Sequence, residues 1–140
     1  MQTISPSQAS LLSSLAFLCD EGRRHFLTAA RTAEDIPTRA ICLQKGRHCE
    51  EMAAELRARI ESRGGDCDAG VGIPDIFSRQ KTQLIRCMNW RSGAVQRYEL
   101  ALRRPSLEED DRLLLRSHLQ WLEDTGHHLA TLAATSLAAA

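Results

Sequence analysis

LLSSLAFLCDEGRRHFLTAARTA, residues 11–33, is the stretch that decides the fold class. Leu12, Leu15, Cys19, Gly22, Phe26, Ala29 and Ala33 recur at alternating steps of three and four, and Leu11 and Leu18 widen the stripe. That period gives an α-helix one apolar face and would scatter the same residues over both faces of a strand. Ser5 and Pro6 stand ahead of it. A serine side chain accepts from an orphan amide of the first turn, and proline at the first helical position has no amide to satisfy, so the pair marks a helix start. The first helix is predicted over residues 6–33.

The same test, carried along the chain, predicts three more helices. The second, over 36–63, follows the opening pair Asp35 and Pro37; its stripe is Cys42, Cys49, Met52, Leu56 and Ile60, flanked by Ile41 and Ala53, and it stops at Gly64 and Gly65. The third, over 75–104, lies between Pro74 and Pro105 with the seam Leu84, Met88, Arg91, Val95, Tyr98 and Leu102. In the fourth, over 107–136, Ser106 and Glu109 form a capping box ahead of Leu115, Leu119, Leu122, Gly126, Leu129 and Leu132, and the helix frays into Ala138–Ala140.

Four amphipathic helices with short first and last connections predict a single all-α domain over 1–140, a four-helix bundle in which helices one and two, and helices three and four, pair as antiparallel hairpins. The middle connection, Gly64 to Ile73, decides between two topologies. It spans the bundle as a crossover only if part of Asp75–Thr82 joins it, and otherwise makes an up-down-up-down bundle.

Composition narrows the function classes. Eighteen basic residues balance eighteen acidic ones, so no net field draws the protein to nucleic acid or to an anionic membrane. No run of about 18 apolar residues occurs, and Met1–Ser10 carries no basic leader, so a cytoplasmic protein is expected. Cys19, Cys42, Cys49, Cys67 and Cys87 are an odd set without a Cys-x-x-Cys pair, which suits free thiols acting as small buried hydrophobes; Cys67, in a Gly-rich loop, is expected to be the most exposed.

Several short motifs carry a family resemblance. Cys19-Asp20-Glu21-Gly22 followed by Phe26, Ala54-Glu55-Leu56 ahead of Gly64-Gly65-Asp66, and Cys87 with Tyr98-Glu99 and Ala101-Leu102 resemble the bacterial ferritin-like bundle proteins of the domain of unknown function 2383 type. The resemblance implies a ferritin-like bundle with a crossover between helices two and three and no established activity. Where family members commonly carry acids, this chain reads Arg23-Arg24-His25 and Met88-Asn89-Trp90-Arg91-Ser92.

A di-iron or di-manganese bundle draws a carboxylate from each of two helices and a Glu-x-x-His pair from each of the other two, because positions i and i+3 point the same way into the core. No Glu-x-x-His occurs; Asp124-x-x-His127 and the reversed His48-x-x-Glu51 come nearest, and helix three has no acid between Asp75 and Glu99. Without a dinuclear centre or any other cofactor, the chain is expected to be a binding or structural protein with an unidentified protein partner or a second copy of itself, and not an enzyme. The alternative is an irregular iron or manganese site drawn from Glu21, His48, Glu51, Asp124 and His127.

Arg91 lies mid-seam, where an unpaired guanidinium is costly. It is expected either to pair with Glu51 within a core cluster that includes His48 and Glu55, or to sit at the seam's edge with its head in water. Asp20 and Glu21 are further candidates. Trp90 and Trp121 each fall one step off their seams and are expected at the bundle's shoulder, as partial core or, with Phe77 or Leu114, as an interface. No histidine has the Lys-Gly context of phosphotransfer bundles, and no nucleophile elbow or phosphate loop appears.

Overall fold

A computed structural model describes residues 3–67 and 80–138. Four helices follow one another, α1 (Pro6–Thr32), α2 (Ile36–Ser62), α3 (Gln80–Leu102) and α4 (Glu109–Ala138), with no strand among the described residues. The expected segment 68–79, including Pro74, the predicted start of helix three and Phe77, lies outside them, as do Ala139 and Ala140.

The helix ends obey local chemistry. Ser5 accepts from the Gln8 amide at 3.2 Å, and Asp35 accepts from the Thr38 amide at 2.7 Å. Those bonds hold the Asp35 carboxyl below its usual range. At the other end of α2, Gly64 takes φ +79°, and the Gly65 amide returns to the Ile60 carbonyl at 2.9 Å. That left-handed residue is the one a glycine is needed for. The expected capping box at Ser106 does not form the start of α4: the helix begins at Glu109, and Ser106 sits in the turn before it. Glu109, Asp110 and Asp111 fill the first turn instead, where negative charge meets the helix dipole favourably.

Contacts across the bundle settle the topology. Gln8 bonds to the Ser106 carbonyl and Cys19 meets Tyr98, so α1 runs antiparallel to α3 as well as to α2. Arg63 meets Glu108 and Lys45 meets His128, so α4 runs antiparallel to α2. Therefore α2 and α3 are parallel, sit diagonally, and are joined by a crossover along the bundle. Residues 63–79 could reach about 55 Å fully extended, ample for a helix of about 40 Å.

The core confirms three of the four stripes and rotates one. Every expected seam residue of the first two helices is buried, from Leu12 to Ala33 and from Cys42 to Ile60. In α4 the buried set Leu115, Leu122 and Leu129 is joined by Asp111, His118 and Thr125, while Leu119 and Leu132 pack at its flank. In α3 the buried face is Gln83, Cys87, Trp90, Ala94, Tyr98 and Ala101. The expected Leu84, Met88, Val95 and Leu102 are only partly buried beside it. Small residues at Cys87, Ala94 and Ala101 bring α3 close to its neighbours, and Trp90 and Tyr98 fill the remaining space, so the large aliphatics are pushed to the flank.

Candidate functional site

A hydrogen-bonded polar cluster lies in the bundle interior. Tyr98, fully buried on α3, places its hydroxyl 2.9 Å from His118 Nδ1 on α4 and 3.4 Å from Cys19 Sγ on α1. The other His118 nitrogen, Nε2, is buried without a hydrogen-bond partner; Glu55 Oε1 on α2 stands 3.5 Å away. Burial, with a smaller contribution from His48, lowers the His118 pKa to about 4, so the ring is neutral at pH 7. Burial likewise pushes Cys19 and Cys87 up to about 12 and Cys42 up to about 11, and raises Cys49 well above 9. These thiols are protonated and inert as nucleophiles. No disulfide joins the five cysteines, and Cys67 is the half-buried one.

Arg91 does not join that cluster. Its Nε donates to the Leu122 carbonyl at 2.8 Å, and its guanidinium lies against Gly126, where any β-carbon would collide with it. The expected pair with Glu51 is therefore corrected. The rotation of α3 moves Arg91 from the seam to its α4 edge, and a backbone carbonyl, needing no second desolvated charge, satisfies it there. Asp20, the other candidate partner, is held by Arg57 of α2, at 3.3 Å for one of two contacts.

The same rotation changes Trp90. Its indole is buried, donates to the Leu18 carbonyl at 2.9 Å, stands edge-on to Phe26 with centroids 5.8 Å apart, and fills the notch left by Gly22. It belongs to the α1/α3 packing and not to an outer surface. Trp121 lies on the opposite seam, between α2 and α4, so the two do not share an interface.

At that second seam a cleft opens. Trp121 stacks on His48 at 4.4 Å with the planes 13° apart, and Lys45 Nζ lies 5.2 Å from the indole centroid. Lys45 is 7% exposed and bonds to His128 Nδ1 at 2.8 Å. Gln44, Arg47 and Glu51 complete the lining of a space of about 290 Å³. Burial lowers the Lys45 and His48 pKa values, opposed by Asp124 for the first and by Glu51 for the second. Lys45 was not singled out in the sequence, and His128 is there one of an adjacent histidine pair expected on the helix surface; a basic residue interrupting the α2 stripe between Cys42 and Cys49 is the signal that could have pointed there.

The alternative metal ligands are not brought together. Glu21, Asp124 and His127 are exposed, Asp124 accepts from Gln120 at 3.1 Å, and His48 and Glu51 face each other at 3.9 Å. Among the described residues no group of three or more His, Cys, Asp or Glu side chains converges on a position for a metal ion. Nor is any helix among them long and apolar enough to cross a membrane.

No family model and no curated protein matches the chain. Among solved structures it is similar to a Dps1 mutant of Mycobacterium smegmatis, with a TM-score of 0.77 and 13% identity, over 93% of this chain and 99% of that one. The fold is ferritin-like. At such identity the likeness concerns the fold alone, and the chemistry of the interior has to be read from this chain's own side chains.

Proposed function

We propose that this protein is a ferritin-like bundle that works by binding, to a protein partner or to further copies of itself, and that it has no dinuclear metal centre. One observation carries the reading: the interior offers the wrong donors. A paired-ion site needs about four carboxylates and two histidines converging from four helices. Here the inward positions are Cys19 on α1, Cys49 and Met52 on α2, Trp90 and Tyr98 on α3, and Leu115, His118 and Leu122 on α4. The inward-facing carboxylate of α4, Asp111, is bound by Arg63 at 2.8 Å, and Asp20 by Arg57. His118 Nε2 with Glu55 supplies two donors at most. The residues present do not fit the group. Kinship with the domain of unknown function 2383 proteins, and a bacterial cytoplasmic setting, belong to this same reading and rest on the quoted motifs together with the fold.

Purified without a histidine tag and titrated anaerobically with ferrous iron, then exposed to air, the protein should show no saturable absorbance step. A step saturating at two ions per chain would refute the reading. Light scattering coupled to size exclusion then measures self-association.

A further inference from the structure

Arginine carries nearly all the positive charge of this chain; its two lysines are Lys45 and Lys81. One of the two is the buried amine of the α2/α4 cleft. Arginine stays charged under all ordinary conditions, whereas a lysine amine yields its proton when desolvated and becomes a nucleophile. We propose that Lys45 is a carbonyl-reactive amine, capturing a small aldehyde or ketone that bears an anionic group as an imine within the α2/α4 cleft.

Three independent features converge on it. Lys45 is 7% exposed yet lines an opening of about 290 Å³, large enough for a molecule of a few carbon atoms. Its amine faces a ring nitrogen, His128 Nδ1 at 2.8 Å, and among the described residues no carboxylate oxygen lies within ion-pair distance of it; Arg57 and Arg63, by contrast, are each paired with an acid, and Arg91 is held by a backbone carbonyl. Arg47 and Gln44 on the cleft wall supply donors for an anionic substituent, and Arg47 has no ion pair among the described residues. Glu51 on the same wall disfavours a second anionic group. Burial weakens the ammonium in addition, against the opposing pull of Asp124.

The step balances without an oxidant. Lys45 passes one proton to His128 Nδ1, and the freed lone pair attacks the carbonyl carbon while the carbonyl π pair moves to oxygen. A proton shifts from nitrogen to that oxygen, giving a carbinolamine. Protonated by His128, the hydroxyl then leaves as water, the nitrogen lone pair closes the C=N bond, and His128 is neutral again. The ammonium and the carbonyl compound become a protonated imine and one water. This is capture at a site, distinct from the binding role proposed above, and neither stands or falls with the other.

The full chain, treated with glyoxylate and sodium cyanoborohydride and mapped by mass spectrometry, tests it, because reduction fixes the imine as a carboxymethyl-lysine. Lys45 should be modified severalfold faster than Lys81, since a desolvated amine set beside a ring nitrogen and away from any carboxylate gives up its proton more readily. Equal or slower modification of Lys45 overturns the proposal. With neutral propanal the preference for Lys45 should shrink severalfold; an undiminished preference overturns the anionic part. His128→Asn should slow labelling of Lys45 and leave Lys81 as it was, and an unchanged Lys45 rate in a variant whose circular dichroism matches the parent's overturns the role of His128.

Discussion

The two seams that close this bundle are made of different material. Between α1 and α3 the contact is apolar and sealed: Trp90 drops into the Gly22 notch, meets Phe26 edge-on and finds its one polar partner in the Leu18 carbonyl. Between α2 and α4 the helices touch thinly, and polar pairs line the gap, from Arg63 with Asp111 at one end, through Glu55 beside His118 and His48 on Trp121, to Lys45 with His128. One seam holds the fold together and the other leaves room for chemistry. Stability is thus expected from the first seam and the proposed chemistry of Lys45 from the second, a division that mutation can break.

The largest effect is expected on the sealed side. Trp90→Ala removes a buried aromatic together with its hydrogen bond and should cost about 3–5 kcal/mol in urea unfolding. A cost near that of a surface substitution would mean that the α1/α3 seam is not the structural one.

Next comes the interior where the two sides meet. His118 has a folded pKa of about 4 against an ordinary value of 6.5. The unfolded chain therefore takes up a proton between those values that the folded chain refuses. Stability from this residue is complete above pH 6.5 and is lost as the pH falls toward 4, by roughly 2–3 kcal/mol. His25 and His48 are lowered too and add with the same sign. Melting temperatures between pH 7.5 and 4.5 should fall more steeply for the parent than for His118→Gln; parallel slopes would show that His118 does not titrate this way.

The open side should respond least. Trp121 is half-buried, so Trp121→Ala is expected to cost only about 1 kcal/mol in the same urea assay while changing access to Lys45. A loss as large as that at Trp90 would erase the contrast between the seams.

The contrast also explains what could be read from the chain in advance. The stripes of α1 and α2 mix Leu, Phe, Met and Ile with Cys, Gly and Ala, no rival apolar stripe competes with them, and each residue lands where the period puts it. In α3 the expected seam holds the larger aliphatics Leu84, Met88 and Val95, whereas Cys87, Trp90 and Ala94 lie on a stripe one residue away. Tertiary packing buries the second stripe, since a close helix contact rewards small residues and one large ring that fits a glycine notch. That single rotation accounts both for the burial of Trp90 and for the place of Arg91 at the seam's α4 edge, the alternative to its pairing with Glu51. His118 and Lys45 stayed hidden for another reason: they are polar residues on buried faces, and only the facing helix supplies the Tyr98 hydroxyl or the His128 ring that makes such burial tolerable. Period alone showed four helices, and the ferritin-like form with its crossover came from the motif resemblance, because a connection's length permits a direction without choosing it.

We propose an interior for this ferritin-like bundle that is furnished for packing and not for a pair of metal ions. Crystals grown anaerobically with excess ferrous iron, measured at the iron absorption edge, address it directly. The account predicts no anomalous peak among Cys19, Cys49, Tyr98 and His118. Two peaks between the four helices, within bonding distance of His118 Nε2 and Glu55, would contradict it.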